Sequence, residues 1–182
     1  MGCWAKKTYY KKIDRIPNIF GDHNLKNASA AITAASLIGI EEKNSIKALE
    51  KFSGVKRRLE LIENKKFIVY DDFAHHPTAI SSSIQAVKSI HPGKNIAVIF
   101  EIRSNSMIAG THKKNFIKSF LDINELYIYC TKEITWLDEN SNIEVHKDIK
   151  QIIQKLNDNT DNVDIVIVMS NGNTNDILEQ LK

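Results

Sequence analysis

Apolar positions in the first third of the chain follow a helical rhythm. Residues 24–40 read NLKNASAAITAASLIGI, an alanine-rich segment with apolar side chains at helical spacing. This pattern predicts a buried helix that ends near Gly39, and a second helix is predicted over residues 44–52. The turn that follows, at Ser53–Gly54, is the expected boundary between two domains.

From residue 67 onwards, short apolar runs alternate with amphipathic stretches. The runs are continuous and rich in β-branched and aromatic residues, which is typical of parallel strands covered on both faces. Strands that alternate with helices in this way predict an open, doubly wound α/β sheet, in which ligands bind beyond the carboxyl ends of the strands. The predicted strands are 67–72, 95–101, 125–130, 163–170 and a short one at 143–146; the predicted helices are 77–90, 110–121, 148–157 and 174–182.

The stretch VYDDFAHHPTAI, residues 69–80, places four titratable groups directly after a buried strand. A carboxylate at this point, from Asp71 or Asp72, can accept hydrogen bonds from a ribose diol, and an imidazole from His75 or His76 can pack on a base or form a hydrogen bond with a sugar or a phosphate. Pro77 suits the first turn of the following helix. An ordinary solvated turn remains an alternative. A metal site is disfavoured, because adjacent histidines point apart in most backbones.

The segment GDHNLKNASAA, residues 21–31, carries a pair of amides at a predicted helix start. Asn24 and Asn27 are three residues apart, so their side chains share one helix face. Two amides can bind the edge of an adenine, one donating and one accepting. The alternative is that Asp22 or Asn24 only caps the helix.

A basic turn, GVKRRLE at residues 54–60, contains Lys56, Arg57 and Arg58. The guanidinium group suits phosphate oxygens, because it is always charged and can donate two parallel hydrogen bonds. A solvated basic turn without a ligand is the other interpretation.

Polar loops also follow the second and the last of the long strands. EIRSNSM ends the strand at 95–101 with Arg103, Ser104 and Asn105, and an arginine at this place could bind a substrate carboxylate. MSNGNTND ends the strand at 163–170, and backbone N–H groups near Asn171 and Gly172 could hold an anion. Both loops can equally be ordinary connections.

Composition and charge narrow the class of protein. The net charge is +3 and the basic residues are scattered among acids, so no nucleic-acid partner is expected. Cys3 and Cys130 form no CxxC pair, which indicates a reducing compartment. No apolar run approaches the roughly 18 residues of a membrane helix, and no signal peptide is recognisable, so a cytoplasmic protein without a membrane partner is expected.

Two common nucleotide motifs are missing from the sequence. GxGxxG does not follow the first strand, which argues against a dinucleotide oxidoreductase, and GxxxxGK[ST] does not occur. Ser and Cys nucleophile elbows are also missing.

Taken together, in this order and spacing, the motifs resemble the Mur ligases, ATP-dependent enzymes that join amino acids or peptides to the muramic acid precursor of the bacterial cell wall. GDHNLKNASAA resembles a segment near the end of their central ATPase domain, GVKRRLE their domain junction, and VYDDFAHHPTAI a motif of their C-terminal domain. RSNSM and VMSNG are most similar to members that act in peptidoglycan recycling. The resemblance runs from about Phe20 to the end of the chain.

The resemblance implies a fold and a domain division. Residues 1–53 would be a helical remnant of the central ATP-binding domain, and residues 54–182 a Rossmann-like C-terminal domain. It also implies site residues. These are Asn24 and Asn27 for adenine, Arg58 for the ATP phosphates and catalysis, Asp72 for ribose, His75 and His76 for the nucleotide pocket, and Arg103, Ser104, Asn105, Asn171 and Gly172 for the incoming peptide.

The reaction implied by the resemblance proceeds through an acyl phosphate. The lactyl carboxylate of UDP-N-acetylmuramate attacks the γ-phosphate of ATP, and the amine of L-alanyl-γ-D-glutamyl-meso-diaminopimelate then displaces phosphate from the mixed anhydride. Mg²⁺ and cationic side chains neutralise the transferring phosphoryl group. Closure of the C-terminal domain would deliver Arg58 and Asp72 and exclude water.

The chain lacks the family's UDP-binding domain and most of its central domain, including the phosphate loop and the Mg²⁺ ligands. We therefore predict that the isolated chain does not catalyse ligation. Two alternatives stay open at this point. The chain could be the same portion of a muramate–L-alanine ligase, or a non-catalytic module that binds a nucleotide or a peptide.

Overall fold

The computed structural model describes residues 6–16, 19, 21–137 and 143–182, so the prediction for Cys3 lies outside the described residues. The chain divides into two compact units, Met1–Gly54 and Val55–Lys182. Each unit is described separately, and their assignment to domains of a larger enzyme stays a prediction. None of the helices within the described ranges has the length and apolar character needed to cross a membrane.

The first unit contains two helices, α1 (Asp22–Leu37) and α2 (Glu42–Glu50). Each begins two residues before its predicted start. Their small core consists of Ile16, Ala28 and Ile32, against which a few half-buried side chains pack. The helices are therefore held together by little buried apolar surface.

The second unit is built on a six-stranded sheet with the strand order β1-β2-β6-β3-β4-β5. Strand β1 pairs antiparallel with β2, and all the other neighbours are parallel. The mostly parallel α/β sheet predicted from the sequence is thereby confirmed. The strands are β1 (Glu60–Ile62), β2 (Ile68–Asp72), β3 (Ile96–Glu101), β4 (Glu125–Tyr129), β5 (Val145–His146) and β6 (Ile165–Met169).

Helices cover both faces of this sheet. On one face, Ile80, Ile84 and Val87 of α3 (Pro77–Ile90) join a core cluster with alternate residues of the strands. On the other face, the apolar sides of α6 (Ile149–Asp158) and α7 (Asn175–Leu181) form a second cluster. Because β3 and β6 are buried on both faces, their sequences are continuously apolar.

The single helix predicted over residues 110–121 is wrong. The structure has two short helices, α4 (Asn105–Ile108) and α5 (Lys113–Phe116), and a 3₁₀ turn at Ile117–Phe120. Gly110 lies between the two helices at φ +70°, and a Cβ built there would stand 2.9 Å from the Trp136 ring. The Trp136 indole N–H donates to the carbonyl oxygens of residues 107 and 108, so the ring closes over the turn.

Candidate functional site

Three polar segments follow neighbouring parallel strands at one edge of the sheet. In the register of the sheet, Met169 pairs with Asp72 on one side and with Phe100 on the other. The carboxyl ends of β2, β6 and β3 are therefore level. The residues that follow these strands lie at the edge where ligands bind in open α/β sheets.

Arg58 lies at this edge as an exposed cation above an aromatic ring. Its guanidinium carbon is 5.6 Å from the centre of the Phe73 ring, a cation–π distance. Among the described residues it forms no salt bridge, whereas its neighbour Arg57 does. Arg58 is therefore the arginine of this turn that is available to an anionic ligand.

Arg57 is used within the protein instead. Its Nε lies 3.2 Å from Oδ2 of Asp71, and its Nη2 donates to the carbonyl oxygen of Ser170 at 2.7 Å. Asp71 also accepts a hydrogen bond from Thr174 at 2.9 Å. Burial raises the pKa of the Asp71 carboxyl group, and the Thr174 hydrogen bond and the charge of Arg57 oppose that rise. Arg57 thus ties the basic turn to β2 and to the loop after β6.

The backbone of the basic turn is strained. Arg57 and Leu59 have φ values of 58° and 51°, in the left-handed region that residues other than glycine rarely occupy. Three hydrogen bonds hold the turn: Leu59 N–H to Asp72, Arg57 N–H to Glu60, and Phe73 N–H to the Arg57 carbonyl. They fix the position of the intervening Arg58 relative to Phe73.

Asp72 is 2% exposed, and the chain's own donors occupy both of its oxygens. Oδ2 accepts from the Leu59 N–H at 2.8 Å, and Oδ1 accepts from the Ala74 N–H at 2.7 Å and the Ser83 hydroxyl at 3.1 Å. In this geometry Asp72 holds the loop that carries Arg58 and Phe73. The family resemblance predicts a direct contact between Asp72 and a ribose. The hydrogen bonds described here do not favour that contact, and it stays a prediction.

The side chains of the two adjacent histidines contact different parts of the second unit. The His75 ring makes an edge-to-face contact with Phe73 at 5.3 Å, and its Nδ1 is 2.9 Å from the Phe73 carbonyl oxygen. His76 points to the start of α3, where its Nδ1 accepts from the Thr78 N–H, and its ring meets His112 at 4.5 Å. Only His75 is in contact with the Phe73 side of the site.

The loops after β3 and β6 meet where Arg103 crosses Gly172. A Cβ built on Gly172 would stand 2.5 Å from Cδ and Nη1 of Arg103, so the guanidinium arm lies directly over the glycine. Arg103 Nη1 is also 3.6 Å from Oε1 of Glu101. Ser104 instead accepts a hydrogen bond from the Met107 N–H and caps α4, whose first residue is the exposed Asn105. The structure therefore brings Arg103 and Gly172 together, while Ser104 supports the helix.

Sequence reasoning missed a row of polar side chains on the α6–α7 face of the sheet. Ser170 donates to Glu101, and the charge of Glu101 helps burial to raise the pKa of Tyr129. Buried oxygens of Asn171 and Asp71, the Oδ1 atom in each case, have no hydrogen-bond partner within the described residues. No sequence signal distinguishes Glu101 and Tyr129, because each is the last residue of an apolar strand.

In the first unit, Asn24 and Asn27 lie in the opening turns of α1, half-buried and exposed respectively. The residue before the helix is Gly21, which has no side chain, and Asp22 and Asn24 lie inside the helix, so neither occupies the N-cap position. Asp22 forms ion pairs with Lys12 and Lys26, whose hydrogen bonds lower the pKa of its carboxyl group to about 2.

Comparison with known proteins supplies a family. Residues 57–172 match the family model "Mur ligase, glutamate ligase domain". The chain is 32% identical to a UDP-N-acetylmuramate–L-alanyl-γ-D-glutamyl-meso-2,6-diaminoheptandioate ligase of Haemophilus influenzae, covering 90% of this chain and 38% of that protein. It is also 32% identical to a UDP-N-acetylmuramate–L-alanine ligase of Christiangramia forsetii, covering 91% and 39%.

A solved structure agrees with these matches. The crystal structure of a murein peptide ligase from Psychrobacter arcticus superposes with a TM-score of 0.65 at 31% identity, covering 88% of this chain and 37% of that one. The chain therefore spans well under half the length of the relatives that it matches.

Proposed function

Because this chain belongs to the Mur ligase family, whose members are ATP-dependent amide ligases, we propose that it is the C-terminal portion of an enzyme that joins L-alanyl-γ-D-glutamyl-meso-diaminopimelate to UDP-N-acetylmuramate. The second unit would be the C-terminal domain, and the first unit a remnant of the central domain. The observation that carries the proposal is the exposed cation Arg58 on the Phe73 ring, at the sheet edge where Arg103 lies over Gly172.

The nucleotide side of the proposed site consists of the Arg58–Phe73 arrangement and His75. Arg58 has the charge and the exposure needed to contact phosphate oxygens, and Phe73 and His75 offer ring faces beside it. Asn24 and Asn27 of the first unit are proposed to contact adenine. Asp72 is proposed to act through the loop that it holds.

The peptide side is proposed to lie around Arg103. A guanidinium over a glycine backbone can donate to a carboxylate of the peptide, and Gly172 leaves room for that arm. The carboxylate of Glu101, 3.6 Å from Nη1 of Arg103, offers an acceptor to N–H groups of the same ligand, and Asn171 is proposed to border the subsite. Ser104 and Asn105 are proposed to border this subsite.

The chain's own residues would contribute binding and charge rather than the reacting groups. When bound, ATP supplies the phosphoryl group that converts a carboxylate oxygen into a good leaving group. Arg58 would offset negative charge on the transferring phosphoryl, and the loop held by Asp72 would keep that charge in place. No cluster of three or more metal-ligating side chains occurs in the described part of the chain, so we assign no Mg²⁺ ligand to it.

The second candidate is the corresponding portion of a muramate–L-alanine ligase. The chain is 32% identical both to the L-alanine ligase from Christiangramia forsetii and to the tripeptide ligase from Haemophilus influenzae. Sequence identity therefore does not indicate which of the two substrates is used. A third possibility is a non-catalytic module that keeps nucleotide or peptide binding. The substrate therefore has to be measured.

The test of the substrate is calorimetric titration of the full chain with the tripeptide and, separately, with L-alanine. We expect the tripeptide to bind and Arg103→Met to weaken binding about tenfold or more, because a charge-assisted hydrogen bond is lost. Lys150→Met, which removes an exposed cation on α6, should leave affinity unchanged. Binding of L-alanine but not of tripeptide would favour the second candidate, and binding of neither would contradict both peptide assignments.

A separate test addresses the nucleotide. ADP should bind the full chain, and Arg58→Met should weaken that binding about tenfold, whereas Lys65→Met should not. In a ligation assay with ATP, tripeptide and UDP-N-acetylmuramate, the purified chain should form no product. Product formation would show that the missing domains are not needed, and equal ADP affinity of the Arg58 variant would remove Arg58 from the site.

A further inference from the structure

A groove of about 390 Å³ lies away from the Phe73 side of the second unit, between the start of α3 and the helical segment 112–119. The proposed function assigns no role to this groove. Its polar lining comes from two elements whose side chains face each other. They are His76, Thr78 and Ser81 from the first element, and His112, Asn115 and Lys118 from the second.

The lining is rich in hydrogen-bond donors. Nδ1 of His76 accepts from the Thr78 N–H, so in the neutral ring the proton is on Nε2, which is a donor. Thr78 contributes a hydroxyl group and Asn115 an amide, while the Ser81 hydroxyl donates to the carbonyl oxygen of Ser119 at 3.4 Å. Several donors from two elements therefore surround one space.

The groove also lacks a counter-charge. Lys118 forms no salt bridge within the described residues, and no carboxylate is among the residues that line the groove. The neighbouring acid Asp122 pairs with Lys88 and Gln85, further along α3. The imidazole rings of His76 and His112 are in edge-to-face contact, with their centroids 4.5 Å apart.

We propose that this groove is a binding site for a phosphate group. A tetrahedral oxyanion can accept from donors on both walls at once, and Lys118 supplies the compensating charge. The imidazole rings of His76 and His112 provide further donors through their ring N–H groups. His76 thereby belongs to this groove, and His75 alone remains on the Phe73 side.

The experiment is a titration of the full ¹⁵N-labelled chain with inorganic phosphate, and in parallel with ADP, followed by NMR. Phosphate should shift the backbone amides of Thr78, His112 and Lys118 in a saturable manner. Lys118→Met and His112→Gln should each weaken phosphate binding about tenfold. Lys114→Met is the matched control, because it removes an exposed lysine from the same helical segment without lining the groove.

Arg58→Met separates this site from the proposed nucleotide site. Phosphate binding should survive that substitution, even if ADP binding is lost. The proposal is overturned if phosphate produces no saturable shifts, if Lys114→Met weakens binding as much as Lys118→Met, or if Arg58→Met abolishes the phosphate shifts. If phosphate binds but ADP does not, the phosphate site in the groove is supported and the proposed nucleotide site is contradicted.

Discussion

At the scale of single residues, three pairs of identical neighbours have different contacts within each pair. The pairs are Arg57–Arg58, Asp71–Asp72 and His75–His76. In the strand, the alternation of side chains sends the two aspartates to opposite faces of the sheet. In the turns, the local backbone decides instead, so Arg57 is held by an ion pair while Arg58 stays exposed. The sequence indicates which pairs lie at the site, and the backbone path assigns each member.

The buried carboxyl group of Asp71 leads to a prediction about pH. Burial raises its pKa in the folded protein, so between about pH 4 and the raised pKa the folded state binds more protons than the unfolded state. Its contribution to stability is therefore complete below about pH 4 and is lost as pH rises through the folded pKa. Asp71→Asn does not titrate, so its stability relative to the unchanged protein should increase from pH 4 to 7.

Urea unfolding at several pH values measures this difference. Asp161→Asn, at an exposed position, serves as the control and should show a much smaller trend. A stability difference for Asp71→Asn that is the same at every pH, or that falls as pH rises, would contradict the role given to burial.

At the scale of elements, hydrophobic runs located the sheet well because its central strands are buried on both faces. The bounds of β2, β3, β4 and β6 lie within two residues of prediction. Strand β1 was missed, since three residues at a sheet edge carry no periodic signal. The helix predicted over 110–121 is α-helical only over Lys113–Phe116 and continues as a 3₁₀ turn to Phe120, and Gly110 lies in the turn before it, where the ring of Trp136 packs closely.

The same reasoning explains how much of the site was predictable. Arg103 and Gly172 could be found because they lie in polar loops that directly follow buried strands, and Arg58 could be found because it belongs to a basic cluster in a turn. Glu101 and Tyr129 could not, because each ends an apolar run and only the packed sheet shows that both face α6 and α7. The contact between Arg103 and Gly172 joins two loops far apart in sequence.

The Gly110 turn can be tested by comparing two alanine substitutions. Gly93→Ala meets no atom within 4 Å but must adopt φ +78°, so it should reduce the free energy of unfolding by about 1 kcal/mol. Gly110→Ala has the same backbone strain and also pushes against Trp136, which should cost about 1–3 kcal/mol more. Urea unfolding followed by tryptophan fluorescence measures both. Equal losses would mean that the indole moves aside freely.

At the scale of the whole molecule, the two units differ sharply in what holds them together. Among the residues that the structure describes, the first unit has three buried apolar residues and two helices, whereas the second has two extensive core clusters on either side of a sheet. Short helices with little buried surface are marginal in water, and a sheet with both faces covered is not. The stability of the chain should therefore reside in the second unit.

This difference predicts that residues 55–182 fold without the first unit. The hydrogen bonds and ion pairs described above for the Arg58–Phe73 loop and the Arg103–Gly172 contact join residues of this unit. A chain truncated to residues 55–182 should unfold in one cooperative transition. Its urea midpoint should equal the midpoint at which the full chain loses its β-sheet circular dichroism signal, and the truncated chain should still bind the tripeptide. Residues 6–54 alone should be largely unfolded by far-ultraviolet circular dichroism. The prediction is contradicted if the truncated protein unfolds at a clearly lower urea concentration than the full chain, or if it lacks the β-sheet signal. In that case the first unit contributes stability beyond that of its own small core, and the two units form one folding unit.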